Sequence, residues 1–417
     1  MSEHSGIGNM ARALNDRVYG PYAFGHLVSA IGIWVQRLGI AWLTWQMTGS
    51  ATWLGLMAFA NMFPLAVLSP LAGAAADRWD TLNIVRLSNW LTAVQSALLL
   101  ILIVTDTVTI WWLLGLAIFL GIMMAANQPA RLAIVSTLVS REHLPAAVAI
   151  GSLSFNGAQF IGPAIAGLLI PWGGVASTCF VQLGTYVVFG IILIWTKPRE
   201  AKPNRPKSAG LLTDLREGFS YSWHHAGIMP LMLLLTIIAL GVRPVSDLFP
   251  AFAAIVFNRG AEGLTALTAS IGIGSVLGVI WIARRTDTRG LVNAMLIFAA
   301  FTGISGMVFA LTGWFWLALV AALGIGATMT PVAIGTQTMM QTGVDPAMRG
   351  RVMALYVSLW RSVPSLGALL MGYASDRIGL HLPVLLGVLL LAIALAWVAI
   401  RRKAIAAALE PAPTAVF

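Results

Sequence analysis

Twelve apolar runs, each long enough to cross a bilayer as a helix, constrain this chain more than any motif in it. They fall at roughly 21–47, 50–76, 83–105, 109–135, 144–171 and 174–196, then at roughly 226–257, 262–283, 290–312, 314–341, 352–374 and 380–400, and one helical crossing needs ~20 residues. In hydrocarbon each backbone N–H and C=O must be satisfied within the segment, so such runs fold as helices. Only 10% of the 417 residues are charged and mean hydropathy is +0.86, whereas soluble domains carry about 25% charged residues. The chain reads as an all-α membrane protein with about twelve transmembrane helices.

The pattern stops once. Residues 197–225 are charged and proline-rich at first, then amphipathic, as expected of a solvent-exposed linker leading into a short surface helix. Predicted domains are an N-terminal six-helix bundle over 1–196, a cytoplasmic linker over 197–225, and a C-terminal six-helix bundle with a cytoplasmic tail over 226–417.

An even number of crossings puts both termini on one side. Of the 25 Lys and Arg residues, only Arg259 and Arg377 fall opposite, and Arg37, Arg243 and Arg361 lie inside spans. The rest, Arg131 among them, are assigned to the side of the termini, so the positive-inside rule predicts that the termini and linker are cytoplasmic. Dispersal of the basic residues among short loops argues for topology rather than nucleic-acid binding as the meaning of the +10 charge. One cysteine, Cys179, excludes an intrachain disulfide framework, and the six His show no ligand spacing. No metal or cofactor is expected, and no removable signal peptide is read at the polar N-terminus. Without a phosphate-binding Gly-x-x-x-x-Gly-Lys-Ser/Thr loop, the energy source should be an ion gradient rather than ATP.

The halves repeat. Gly73 and Gly278, Gly121 and Gly326, Gly162 and Gly367, Gly167 and Gly372, and Gly174 and Gly379 are each 205 positions apart. The expected architecture is two pseudo-symmetric six-helix bundles.

Charges inside spans mark function, because each costs roughly 2.5 to 3.5 kcal/mol at the bilayer centre on insertion scales. His26, Ser29, Arg37 and Thr44 share one face of the first helix, and Thr236, Arg243, Ser246 and Asp247 one face of the seventh, where Pro244 and Pro250 predict irregularity. Arg243 with Asp247 is either an intrahelical ion pair or part of the transport machinery. Asn156 and Gln159 on the fifth helix, Arg361 on the eleventh and Gln337 on the tenth either line a cavity or bond the halves together. Candidate cavity residues are Arg37, Asn156, Gln159, Arg243, Gln337 and Arg361. Asp247, the carboxylate placed deep in a span, and His26 are the candidate proton carriers.

The hairpin PLAGAAADRWDTLNIVR, from Pro70 to Arg86, resembles the loop between the second and third helices of the major facilitator superfamily. Gly73, Asp77 and Arg78 match its Gly-x-x-x-Asp-Arg pattern, while Asp80 and Thr81 replace the usual Gly and first Arg. The stretches NQPARLAIVSTLVSREHLPAAVAIGSLSFNGAQFIGPAIAGLL, DPAMRGRVMALYVSLWRSVPSLGALLMGYASDRIG and GVRPVSDLFPAF resemble the branch containing the bacterial enterobactin exporter and macrolide efflux pumps. The resemblance implies the major facilitator fold, with a site at the midplane between halves. It also implies proton-driven efflux of a small amphipathic molecule across a bacterial inner membrane, by a monomer, with Gly73, Asp77, Arg78 and Arg86 as gating candidates. Asp77 would latch the cytoplasmic side against the N-terminus of the eleventh helix, its plainer reading being a membrane-boundary charge. Three in-span arginines against one aspartate favour an anionic or hydrogen-bond-rich substrate; cationic or neutral drug efflux and lysolipid transport are the alternatives. An intramembrane enzyme would need a nucleophile and base or paired acids in facing spans, and the sequence offers neither.

Overall fold

A computed structural model describes residues 6–198, 211–285 and 287–410; the side chains of 6, 7, 66, 69–78, 156, 160 and 211–215 lie outside the described set. In chain order, a short helix α1 (Gly6–Leu14) precedes α2 (Tyr19–Thr48), α3 (Ala51–Arg78), α4 (Thr81–Val104), α5 (Ile110–Leu138) and α6 (Leu144–Trp195). The amphipathic α7 (Leu211–His224) follows, then α8 (Ile228–Gly241). α8 runs into a 3-10 turn (Arg243–Leu248), one α turn, α9 (Phe249–Ala251), and a π turn (Phe252–Val256). The chain continues through α10 (Gly260–Ala283), α11 (Leu291–Leu311), α12 (Phe315–Gly343), α13 (Pro346–Ile378), α14 (His381–Ile400) and α15 (Arg402–Leu409).

Among the described residues, ten helical stretches are long and apolar enough to cross a membrane. α6 accounts for two crossings: its 52 residues would span about 78 Å as a straight helix, and it breaks at Gly174, whose φ of 61° and ψ of −167° only glycine adopts readily. The shorter apolar stretch Ala51–Leu65 of α3, if it crosses as well, would bring the number to the expected twelve. Large apolar side chains face outward throughout, with Trp172 92% and Trp195 80% exposed near ends of the α6 spans. Water would not tolerate this surface, whereas a bilayer with its interfacial tryptophan belts does.

The chain forms two compact units, residues 1–49 with 60–206 and residues 50–59 with 207–417. Within each, glycine lets helices meet backbone to backbone. A Cβ on Gly121 of α5 would lie 2.3 Å from the Asn61 carbonyl oxygen of α3, and one on Gly326 of α12 would lie 2.1 Å from that of Ile271 on α10. These repeat-related glycines do the same job in both units. Gly379, the repeat partner of Gly174, also has positive φ, at 85°.

Side chains finish the helix ends. The Asp80 carboxylate accepts from Leu82 N at 2.9 Å to start α4, and Asp345 accepts from Ala347 N at 2.9 Å to start α13. This cap explains why Asp80 stands where the resembled pattern has glycine. The start of α3 is capped by a distant residue: Asp376, near the end of α13, accepts from Ala51 N at 2.8 Å, Thr52 N at 3.0 Å and the Ser50 hydroxyl. After the linker, α7 is held to α13 by a 3.0 Å ion pair between Glu217 and Arg351, while Phe219 and Trp223 stack on each other and stay exposed.

Candidate functional site

In the second unit the seventh span carries the expected irregularity, but its register differs from the α-helical expectation. Pro244 enters a 3-10 turn at its first positions. With three residues per turn, the side chain eclipsing Arg243 is Ser246 rather than Asp247, which projects about 120° further round. The Ser246 hydroxyl accordingly donates to the Arg243 carbonyl at 3.1 Å. The single face predicted for Arg243, Ser246 and Asp247 is therefore corrected: the proline removes an α-helical hydrogen bond and the turn tightens.

Arg243 reaches α13, where its guanidinium lies 4.5 Å from the Trp360 ring centroid and donates to the Trp360 carbonyl. Tyr356, one turn earlier, is within electrostatic reach of both Arg243 and Arg361 and donates its hydroxyl to the Ala333 carbonyl of α12 at 2.9 Å. Gln337, one turn along α12 from Ala333, is half-buried, as is Asp247, while Arg361 is exposed. The structure thus groups Arg243, Trp360, Tyr356 and Arg361 on one patch, of which the sequence flagged only the arginines.

In the first unit Arg37 stands over Trp34 at 5.1 Å, and Trp34 meets Phe155 edge-on with centroids 6.0 Å apart. Gln159 is half-buried one turn beyond Phe155; the side chain of Asn156 lies outside the described residues, as do those of Gly73, Asp77 and Arg78. Guanidinium on indole recurs in both units, giving a cation on an aromatic wall that suits an amphipathic solute.

Arg86 and His26 have defined partners. Arg86 donates to the carbonyls of Leu193 at 2.9 Å, Ile194 at 3.2 Å and Thr196 at 3.1 Å, closing the end of α6 where cations are favoured by the helix dipole. Arg86→Ala should lower stability by about 2 kcal/mol, since hydrogen bonds to charged groups contribute that order each. Arg86→Lys should recover part of it; thermal unfolding of the detergent-purified chain measures both, and an unchanged Arg86→Ala would show that the cap contributes nothing. His26 is buried and bonded through Nε2 to Arg131 of α5.

That contact corrects the counting of Arg131 among the basic residues on the side of the termini rather than among those inside spans. It lies about two turns, ~10 Å, inside the end of α5, and within the span predicted over 109–135.

The chain matches, over residues 13–414, a family described as transmembrane secretion effector. It is 25% identical to the staphyloferrin A transporter of Staphylococcus aureus over 84% of this chain and 87% of that protein. It is 24% identical to macrolide efflux protein A of Streptococcus pyogenes over 89% of this chain and 93% of that one. In structure it resembles a bacterial homologue of the human lysosomal transporter Spinster, with a TM-score of 0.74 and 14% identity over 99% of this chain and 100% of that chain.

Proposed function

The chain belongs to the transmembrane secretion effector family of major facilitator transporters, and from that premise we propose that it is a proton-coupled exporter of a small amphipathic molecule. It is a multi-pass membrane transporter of the efflux type and not an enzyme. Its substrate is siderophore-like or drug-like, as the relatives named for staphyloferrin A and macrolides suggest. It works by alternating access as a monomer in a bacterial inner membrane, with the halves 1–196 and 226–417 joined by the linker. Both termini are cytoplasmic, in keeping with the distribution of Lys and Arg.

The observation that carries this reading is the broken seventh span. Discontinuous helices in secondary transporters place polar backbone and charged side chains at substrate and ion sites. Here the break holds both Arg243 and Asp247. Arg37, Asn156, Gln159, Arg243, Gln337 and Arg361 line the route of the substrate. Asp247 carries the proton; His26 is the weaker carrier, since a second proton there would put an imidazolium against Arg131. Gly73, Asp77 and Arg78, with Arg86 anchoring α4 to the end of α6, form the cytoplasmic gate.

The test is transport into proteoliposomes of the purified chain under an imposed pH gradient, against a panel of siderophores, macrolides and lysolipids. At least one compound should accumulate and be released when a protonophore collapses the gradient. Accumulation that ignores the gradient would overturn proton coupling.

A further inference from the structure

The first unit contains a partly buried cation, Arg131, that caps no helix end. Arg131 of α5 is half-buried about two turns inside the membrane-spanning region. Guanidinium offers five N–H donors, and among the described residues its one hydrogen-bond partner is the acceptor nitrogen of His26. Among the described residues no carboxylate pairs with it. The hydroxyls of Tyr22 on α2 and Tyr186 on α6 lie within its electrostatic reach. Tyr22 is 2% exposed, and among the described residues its hydroxyl has no hydrogen-bond partner. Its ring is fixed between Tyr19, with centroids 6.2 Å apart, and Phe189, edge-on at 5.7 Å. The surroundings are apolar, with Ala130, Ile134, Ala23 and Val85 all buried.

An unneutralised guanidinium and an orphaned hydroxyl in low dielectric both call for an acceptor with negative charge. An oxyanion supplies it: two oxygens receive the guanidinium fork side by side, and the hydroxyl donates to either. We propose that Arg131, Tyr22 and His26 form an oxyanion subsite that takes a carboxylate of the transported molecule. His26, by accepting one guanidinium N–H, fixes the fork and leaves the remaining donors for the ligand. The aromatic side chains beside it give the apolar part of the solute a surface. This deepens the export reading and rests on it for the word transported; the binding itself is independent of any gradient.

The experiment measures thermal unfolding of the full-length purified chain in a neutral detergent, titrated with acetate, benzoate and citrate and with their uncharged amides. At least one carboxylate should raise the unfolding temperature saturably, as a ligand that binds only the folded state must, and its amide should not. Tyr22→Phe should leave the empty protein at least as stable, because it removes an unsatisfied buried hydroxyl, yet weaken carboxylate affinity about tenfold. Arg131→Gln should abolish the shift, and Arg131→Lys should restore it in part. The proposal falls if no carboxylate shifts the wild type, if the shift survives Arg131→Gln, or if Tyr22→Phe binds as well as the wild type. It also falls if soluble carboxylates are inert while phosphatidylglycerol gives the Arg131-dependent shift, which would make the cluster a lipid-headgroup site. Carboxylate binding without gradient-driven transport would leave the subsite standing and remove proton coupling instead.

Discussion

Asp247→Asn should leave the chain folded and able to exchange substrate across the membrane, while reducing pH-gradient-driven accumulation to the level of empty liposomes. The side chains are isosteric, so the 3-10 turn that holds residue 247 keeps its shape. What disappears is the only group in this stretch able to alternate between a charged and a neutral form. In a membrane span that alternation links proton movement to conformation, because the ionised form costs roughly 2.5 to 3.5 kcal/mol more to hold at the bilayer centre than a neutral side chain does. A permanently neutral amide gives the transporter no reason to wait for a proton. Counterflow, in which labelled substrate exchanges for unlabelled with no gradient, should therefore persist when accumulation stops. Arg243→Gln provides the contrast: loss of the cation stacked on Trp360 should weaken substrate affinity rather than coupling. If Asp247→Asn concentrates substrate at the wild-type rate, Asp247 is a structural residue and the proton site lies elsewhere.

Features set by nearest neighbours in sequence were legible before the structure. Apolar run length announced an all-helical chain of repeated membrane-length spans, Pro244 and Pro250 announced the break in the seventh, and the 205-residue spacing of glycines exposed the repeat. Where the reading went astray, the deciding partner was remote or the local geometry departed from the α period. Pro244 forecast irregularity but not its 3-10 sense, and a step of 120° instead of 100° per residue moved Asp247 off the face of Arg243. Arg131 was counted with the charges on the side of the termini, although the predicted span 109–135 contains it, because a cation near the end of an apolar run reads as a boundary. The helix over Ile110–Leu138 and the approach of His26, 105 positions away, identify it as an interior residue. Asp376 caps α3 through backbone groups more than 300 positions distant, which no local pattern announces. Trp360 and Tyr356 carried no signal, since aromatic residues in spans are ordinary core until a guanidinium is seen against them.

Replacement of Gly326 by Val should cut the yield of folded protein tenfold or more, and Gly121→Val should do the same in the other unit. At both positions the side chain would start inside a facing backbone carbonyl, 2.1 Å away for Gly326 and 2.3 Å for Gly121. Ordinary overpacking costs about 1 to 3 kcal/mol because side chains can move aside. Here the obstacle is main chain, and α10 and α12 approach reciprocally: a Cβ on Gly274 would meet the Leu323 carbonyl oxygen at 2.0 Å. Relief therefore requires the two helices to separate along their whole contact, which forfeits the close van der Waals packing that drives association in lipid. Gly115 is the control. On the same helix as Gly121 but with nothing within 4 Å of an added Cβ, its change to Ala should be neutral or slightly stabilising, by up to about 1 kcal/mol from helix propensity. Monodispersity and unfolding temperature of the detergent-extracted variants separate these outcomes. If Gly326→Val stays monodisperse and melts within a few degrees of the wild type, the glycine contacts do not hold the helices together, and the repeat they mark has some other origin.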